Sequence, residues 1–413
     1  MDLLVVPVPL FDKNMAVEAY YFRYQEGNGL IRANQATNVF DGVVLSPLLA
    51  TLNIAGTDAF AMSKPVFVPV NHLMLMANLH DQCKELPEKV VFVIDGSIKS
   101  EEPYLSNIKK LKKDGFRFAI QMIERLESYE PIVDLCDYFF FNHTLMHLPN
   151  QQLMYAQVKK SYASIKIVMT HIESTDYYDA LRGQASMFEG HFYTIPVTKG
   201  ENKVSPLKLN LINLLNLVRN ENFEFSAVAA IVQRDTALTV SLMRMINSPF
   251  LGLRQKVKSI NHAVTILGQI ETRKWVTTAV SRLLGADRPD ELTRLSLIRA
   301  KFAENLAEGF NMKQKSSSLF LMGLFSVLDV ILEMTMEDAL SMVQVSDSIR
   351  DALLECKGEF GALLNFIYKY EFADWNTVSR ILIVYDLNPE DIYTAYINAL
   401  LWYRSLITGG DTD

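Results

Sequence analysis

Residues 89–122 read KVVFVIDGSIKSEEPYLSNIKKLKKDGFRFAIQM. The apolar run KVVFVID is followed by a helix-like stretch, SNIKKLKKDG, and then by GFRFAIQM, in which a glycine opens a short apolar alternation. Strand, helix, strand is the repeating unit of a parallel sheet. The same rhythm runs outward in both directions. Further strand candidates are LLVVPVPLF, AVEAYYFRY, KPVFVPV, CDYFFFN, IKIVMTHI and HFYTIPV, and SPLLATLNIAG is another helix-like segment. Apolar strands alternating with helices predict a parallel sheet covered on both faces, and about eight of them fit a TIM-like (β/α) barrel better than an open sheet. The barrel is assigned to residues 1–197.

The polar stretch VTKGENKVSP, residues 197–206, contains Gly and Pro and reads as a connection, with the linker set at 198–206. Beyond it strand patterns stop. LKLNLINLLNLVRN, FSAVAAIVQRD, ALTVSLMRMINS, NHAVTILG and TRKWVTTAVSRLLG place apolar residues three and four apart, which predicts an all-helical domain over 207–413. Asp235 and Ser259 are helix starts in this reading, and Gly268 and Gly285 are stops.

Composition narrows the function classes. The chain has 413 residues, 49% hydrophobic and 21% charged, so real cores are available. A net charge of −7 argues against a dedicated nucleic-acid binder. Cys83, Cys136 and Cys356 are scattered and odd in number, which predicts buried thiols rather than a disulfide framework or metal site. The N-terminal MDLLVVPVPLFDKN lacks a basic n-region, so no signal peptide is expected. The greasy stretch at 319–334 is short for a membrane span and contains Asp329, so it is expected to be a buried core helix. A cytoplasmic protein follows as the expectation. The KKLKK run at 109–113 is expected to be a solvated helix face, and the His80-Asp81 pair to be incidental.

The stretch at 234–276, RDTALTVSLMRMINSPFLGLRQKVKSINHAVTILGQIETRKWV, resembles the core of the HDOD domain, a bacterial signalling module with an HD-like helical fold. FLMGLFSVLDVIL at 320–332 resembles a later helix of the same module. The first half is similar to the EAL family of cyclic-di-GMP phosphodiesterases, in the version fused to HDOD. The resemblance implies metal-assisted hydrolysis at the barrel's C-terminal face, where divalent cations need several converging oxygen donors.

On that resemblance the family's site positions fall on Ala19, Pro69, Val93, Gly96, Gln121, Met122, Phe140, Asn142 and Thr170, with Phe140 at the place of the family's lysine. None of these is an acid. Glu18 and Asp95 stand beside two of them, out of register by the alternation of a strand. Arg23 and Glu173 are retained, as is the Gly190 loop, where Glu189 replaces a glutamine. Neither metal, nor cofactor, nor catalysis is therefore expected. Arg23, Gln121, Asn142 and Tyr20 are the groups that could face a dinucleotide, although cyclic-di-GMP binding is not expected.

In the helical half His262 is the one histidine after residue 200, too few for an HD-type metal site. His143 and His147 have i, i+4 spacing, but no third ligand accompanies them. Asn247-Ser248-Pro249 is read as a helix stop rather than a recognition corner, and Trp275 as a core aromatic. The reading is an inactive signalling scaffold in cyclic-di-GMP-linked control, meeting other regulatory proteins through the HDOD domain, with self-association left open. A non-hydrolysing cyclic-di-GMP receptor, a residual phosphodiesterase and a nucleic-acid adaptor are its rivals.

Overall fold

A computed structural model describes residues 3–26, 47–76, 79–83, 87–121, 123, 125–196, 206–220, 222–247, 257–286, 288–343 and 345–408. The predicted linker and the Ser248-Pro249 pair lie almost wholly or entirely outside the described residues, and Met122 does as well.

The chain divides into two compact units, each built from more than one stretch. The first comprises residues 1–195 and Tyr368–Thr394, and the second Pro196–Ile367 and 395–413. The sequence places one helical domain over 207–413. The compact units divide otherwise, because residues 368–394 pack with the strands rather than with the helices that precede them.

The first unit is a closed eight-stranded barrel: β1 Leu3–Phe11, β2 Val17–Glu26, β3 Val66–Pro69, β4 Val90–Asp95, β5 Arg117–Gln121, β6 Tyr138–Asn142, β7 Lys166–Thr170 and β8 Met187–Phe188. From β2 to β8 all neighbours run parallel. β1 departs from the expected parallel sheet: it is antiparallel to both β2 and β8. A tight turn causes this. The Asp12 side chain accepts the amides of Asn14 and Ala16, so the chain reverses at once instead of crossing over through a helix.

The last strand also differs. HFYTIPV is not a strand, since Phe192–Thr194 forms a 3₁₀ turn, and the strand is the preceding pair Met187–Phe188. Gly190 explains the location. A Cβ there would lie 1.9 Å from the Ile172 carbonyl oxygen, so only glycine lets the chain hug the end of β7.

The barrel's interior is packed with Leu10, Ala19, Phe67, Val91, Val93, Ala119, Tyr138, Phe140, Val168 and Met187, all buried. Phe67 meets Tyr138 and Phe140 edge-on at ring separations of 4.9 and 5.6 Å, the aromatic geometry that adds to simple area burial. On the outside, the helix Tyr104–Lys113 buries Ile108 and Leu111. Within the KKLKK run, Lys112 is not freely solvated, because it pairs with Asp137 at 3.0 Å.

The second unit is helical. Asp235 caps the helix Thr236–Ile246 by accepting the Leu238 amide at 3.0 Å, and Ser259 caps the next by accepting from His262. Both are predicted starts. Gly268 (φ 71°) breaks Ile260–Leu284 into two helical pieces, as a predicted stop should. The expected single helix over 319–334 is two, Ser316–Phe325 and Leu328–Leu332, parted at Ser326-Val327. Gly323 lets Ser316–Phe325 lie close to Asp290–Leu306: a Cβ would fall 2.5 Å from the Arg299 carbonyl oxygen.

Cys83 and Cys136 are buried as expected, but Cys356 is exposed, because it occupies the left-handed turn (φ 51°) that ends Asp347–Glu355.

Candidate functional site

Strand alternation fixes what reaches the barrel's open end. Ala19, Phe67, Val93, Ala119, Phe140, Val168 and Met187 all belong to the interior cluster. Two residues further along each strand stands another residue of the same face: Tyr21, Pro69, Asp95, Gln121, Asn142, Thr170 and Glu189. Arg23 continues the β2 series above Tyr21. This is the layer at the C-terminal ends of the parallel strands, where barrels of this architecture carry their chemistry.

The layer sorts the sequence candidates. Ala19, Val93 and Phe140 point inward as apolar filling. Pro69 caps β3, aligned with Val93, and offers no side-chain donor. Gly96 lies just past β4, where its carbonyl accepts from the Tyr129 hydroxyl at 2.7 Å and from Lys99. Gln121 donates its amide to the Tyr21 hydroxyl at 3.2 Å. Asn142 caps the following 3₁₀ turn, its oxygen accepting both the amide and the hydroxyl of Thr144. Thr170 donates its hydroxyl to the Phe141 carbonyl.

Two of the sequence readings change here. Asp95 is not out of register: it shares the inward series with Val91 and Val93, opposite Gln121. Its carboxylate accepts the Ser97 amide at 2.9 Å. Tyr20 is not at the mouth, because it alternates with Ala19 and Tyr21; Tyr21 takes the role. Burial raises the Tyr21 phenol above its ordinary pKa, against the Gln121 hydrogen bond and the charge of Arg23, which lower it.

Two charged pairs lie around this layer. Arg23 meets Glu189 at 2.8 Å, with Glu189 only 1% exposed, and the second Glu189 oxygen accepts the His171 amide at 3.1 Å. Glu173 contacts the His191 ring at 3.3 Å; this hydrogen bond, outweighing partial burial, pulls the Glu173 carboxyl below its ordinary pKa. His171, His191, Tyr21 and Glu189's pairing role escape a motif-based reading. The sequence signal for Glu189 is its place beside the obligatory Gly190.

Hard cations ask for about six oxygens at short range. Of the positions named above, Ala19, Pro69, Val93 and Phe140 offer no side-chain oxygen, and Gln121, Asn142, Glu173 and Glu189 are engaged with protein partners. No group of three or more His, Cys, Asp or Glu that could hold a metal occurs among the described residues.

The other candidates resolve locally. His143 and His147 do not share a helix face, since His143–Leu145 is a 3₁₀ turn; His147 contacts the Thr144 carbonyl, while His143 packs on Tyr177 at 4.6 Å. His262 is exposed, and the His80-Asp81 pair lies on the surface. Asn247 is a backbone clamp: its amide nitrogen donates to Met243 and Val257 and its oxygen accepts the Val257 amide at 2.8 Å. Trp275 is buried. Among the described residues no helix is long and apolar enough to cross a membrane.

Residues 206–359 match the family model of the HDOD domain, so the helical unit carries an HDOD domain. Over its whole length the chain is similar to YuxH, an uncharacterised protein of Bacillus subtilis (strain 168): 25% identity over 422 residues, 98% of this chain and 99% of YuxH. It is 28% identical over 242 residues to the cyclic di-GMP phosphodiesterase CdgJ of Vibrio cholerae serotype O1, covering 58% of this chain and 56% of CdgJ. The chain thus matches just over half the length of that relative. Among solved structures it is similar to an EAL domain protein of Listeria monocytogenes EGD-e, with 16% identity, a TM-score of 0.36, and coverage of 46% of this chain and 87% of that one. It is also similar to the FimX EAL domain of Pseudomonas aeruginosa bound to c-di-GMP, with 15% identity, a TM-score of 0.36, and coverage of 46% and 89%.

Proposed function

We propose that this chain is a component of cyclic-di-GMP signalling that acts by binding other proteins through its HDOD domain, and that its barrel does not hydrolyse the dinucleotide. The observation that carries the reading is the composition of the barrel's upper interior. The resemblance to EAL enzymes puts acids at Ala19 and Val93 and a lysine at Phe140, and those side chains are packed into an apolar cluster. The acids beside the mouth are Asp95, which turns onto the Ser97 amide, and Glu173 and Glu189, each held by a basic or imidazole side chain. A phosphodiesterase needs a cation to activate water and to neutralise the phosphoryl oxygens. This donor set supports neither task.

Binding through the helical half is supported by its surface. Val240, Ile266 and Ile270 are 50%, 40% and 66% exposed, apolar side chains left available to a partner. The relative CdgJ is called a phosphodiesterase, and that name favours a second reading in which hydrolysis persists.

One experiment separates the two. The full chain is incubated with cyclic-di-GMP and Mg²⁺ or Mn²⁺, and linear dinucleotide is measured; none is expected. Product that forms with the wild type and disappears in Glu173→Gln overturns the proposal. Calorimetry with the same ligand is expected to show no heat, and a saturable signal would move the reading to a receptor.

A further inference from the structure

The barrel's last seam is almost unlaced. β1 and β8 pair at a single position, Phe11 with Phe188. In a strand, the N–H and C=O of one residue point to the same edge, and so do those of every second residue. Val5, Pro7, Pro9 and Phe11 therefore face the β8 side. Pro7 and Pro9 have no amide to donate, and β8 is only two residues long. Val5 is left with a donor and an acceptor on a buried edge, where an unmet pair is costly.

Tyr370 meets both. Its hydroxyl accepts the Val5 amide at 3.2 Å and donates to the Val5 carbonyl at 3.0 Å, as a neighbouring strand would. Tyr370 is 0% exposed, and burial raises its phenol pKa, so the proton it donates stays in place. Two residues on, Phe372 stacks on the His191 ring at 3.7 Å, and His191 contacts Glu173. Further along, Ser379 accepts from Gln25 and Tyr393 donates to Thr51, so the same segment grips β2 and the helix Pro47–Ala55.

The geometry points to Tyr368–Thr394 as a seam lock: a segment from beyond the HDOD-matched region that replaces the missing β1–β8 pairing and pins the Glu173–His191 side of the barrel mouth. It is a conformational device, because the mouth's order depends on a piece of chain far away in sequence. The barrel assigned to residues 1–197 is incomplete without it.

Hydrogen exchange on the full chain tests the lock. Tyr370→Phe removes only the hydroxyl, and the Val5 amide is expected to exchange about tenfold faster, with smaller gains across β1. Phe372→Ala touches a half-exposed ring and leaves Tyr370 in place. It is expected to speed exchange over residues 189–194 and to leave β1 protected, which keeps the proposal testable if Tyr370→Phe does not fold. Wild-type protection at Val5 in the first variant, or at 189–194 in the second, overturns the lock.

Discussion

At the barrel mouth Arg23 meets Glu189 at 2.8 Å with the arginine side chain 24% exposed; in the helical unit Arg294 meets Glu291 at 2.7 Å with 8% and 4% exposed. The two pairs are alike in length and differ in setting. In the helical unit the pair lies on Asp290–Leu306 among other buried polar groups: Ser296 donates to the Leu324 carbonyl and Arg299 to the Ser326 hydroxyl. Those groups tie two helices together and are almost fully buried. The mouth pair keeps one face open to water. Buried charge specifies a packing arrangement in one place and leaves a rim with adjustable charge in the other.

The largest test of this contrast is Arg294→Ala. Removing the guanidinium takes a cation 2.7 Å away from the buried Glu291 carboxylate, and a loss of about 3 kcal/mol is expected in denaturant unfolding of the helical unit. A loss within 1 kcal/mol, on the order of a surface pair, would erase the distinction. Phe140→Ala probes the floor beneath the mouth. It removes a ring touching Phe67 and Tyr21, with an expected cost of about 3 kcal/mol confined to the barrel transition.

Gly323→Ala comes next, at about 1–3 kcal/mol, because the added methyl must push Ser316–Phe325 off the Arg299 backbone. Tyr21→Phe should cost about 1 kcal/mol or less, since it removes one hydrogen bond to a half-exposed amide. The smallest effect concerns pH. The Glu173 carboxyl is held below its ordinary value, so its contribution is present above pH ~4.5 and is lost as pH falls through the lower folded value. Glu173→Gln should flatten that acid limb slightly in thermal melts at successive pH values, since the side chain is half exposed and the pairing is screened.

The sequence exposes what depends on local pattern. Seven barrel strands follow from apolar runs such as VVFVI and FFF, and the Asp235 and Ser259 caps from their place before helical periodicity. It hides what depends on three-dimensional neighbours. An apolar run carries no direction, so antiparallel β1 reads like its parallel companions. Met187–Phe188 is too short to register as a strand, and the aromatic HFYTIPV beside it offers a stronger but false signal. At the site, Ala19, Val93 and Phe140 fall on the inward face that strand alternation gives them. Asp95 and Tyr21 were obscured because strand register within one or two residues decides which face a side chain joins. The pairing of Tyr370 with Val5, 365 residues apart, leaves no local mark.

The prolines of β1 have one more consequence. An unlaced strand edge ordinarily invites a strand from another molecule, which is how sheets grow into aggregates. Here the open stretch alternates through Pro7 and Pro9, and the donor–acceptor pair of Val5 is occupied by a tyrosine hydroxyl. A stranger approaching the edge from Val5 to Pro9 finds no free amide to accept from, so the irregularity that weakens closure also removes the donors on which an added strand would build.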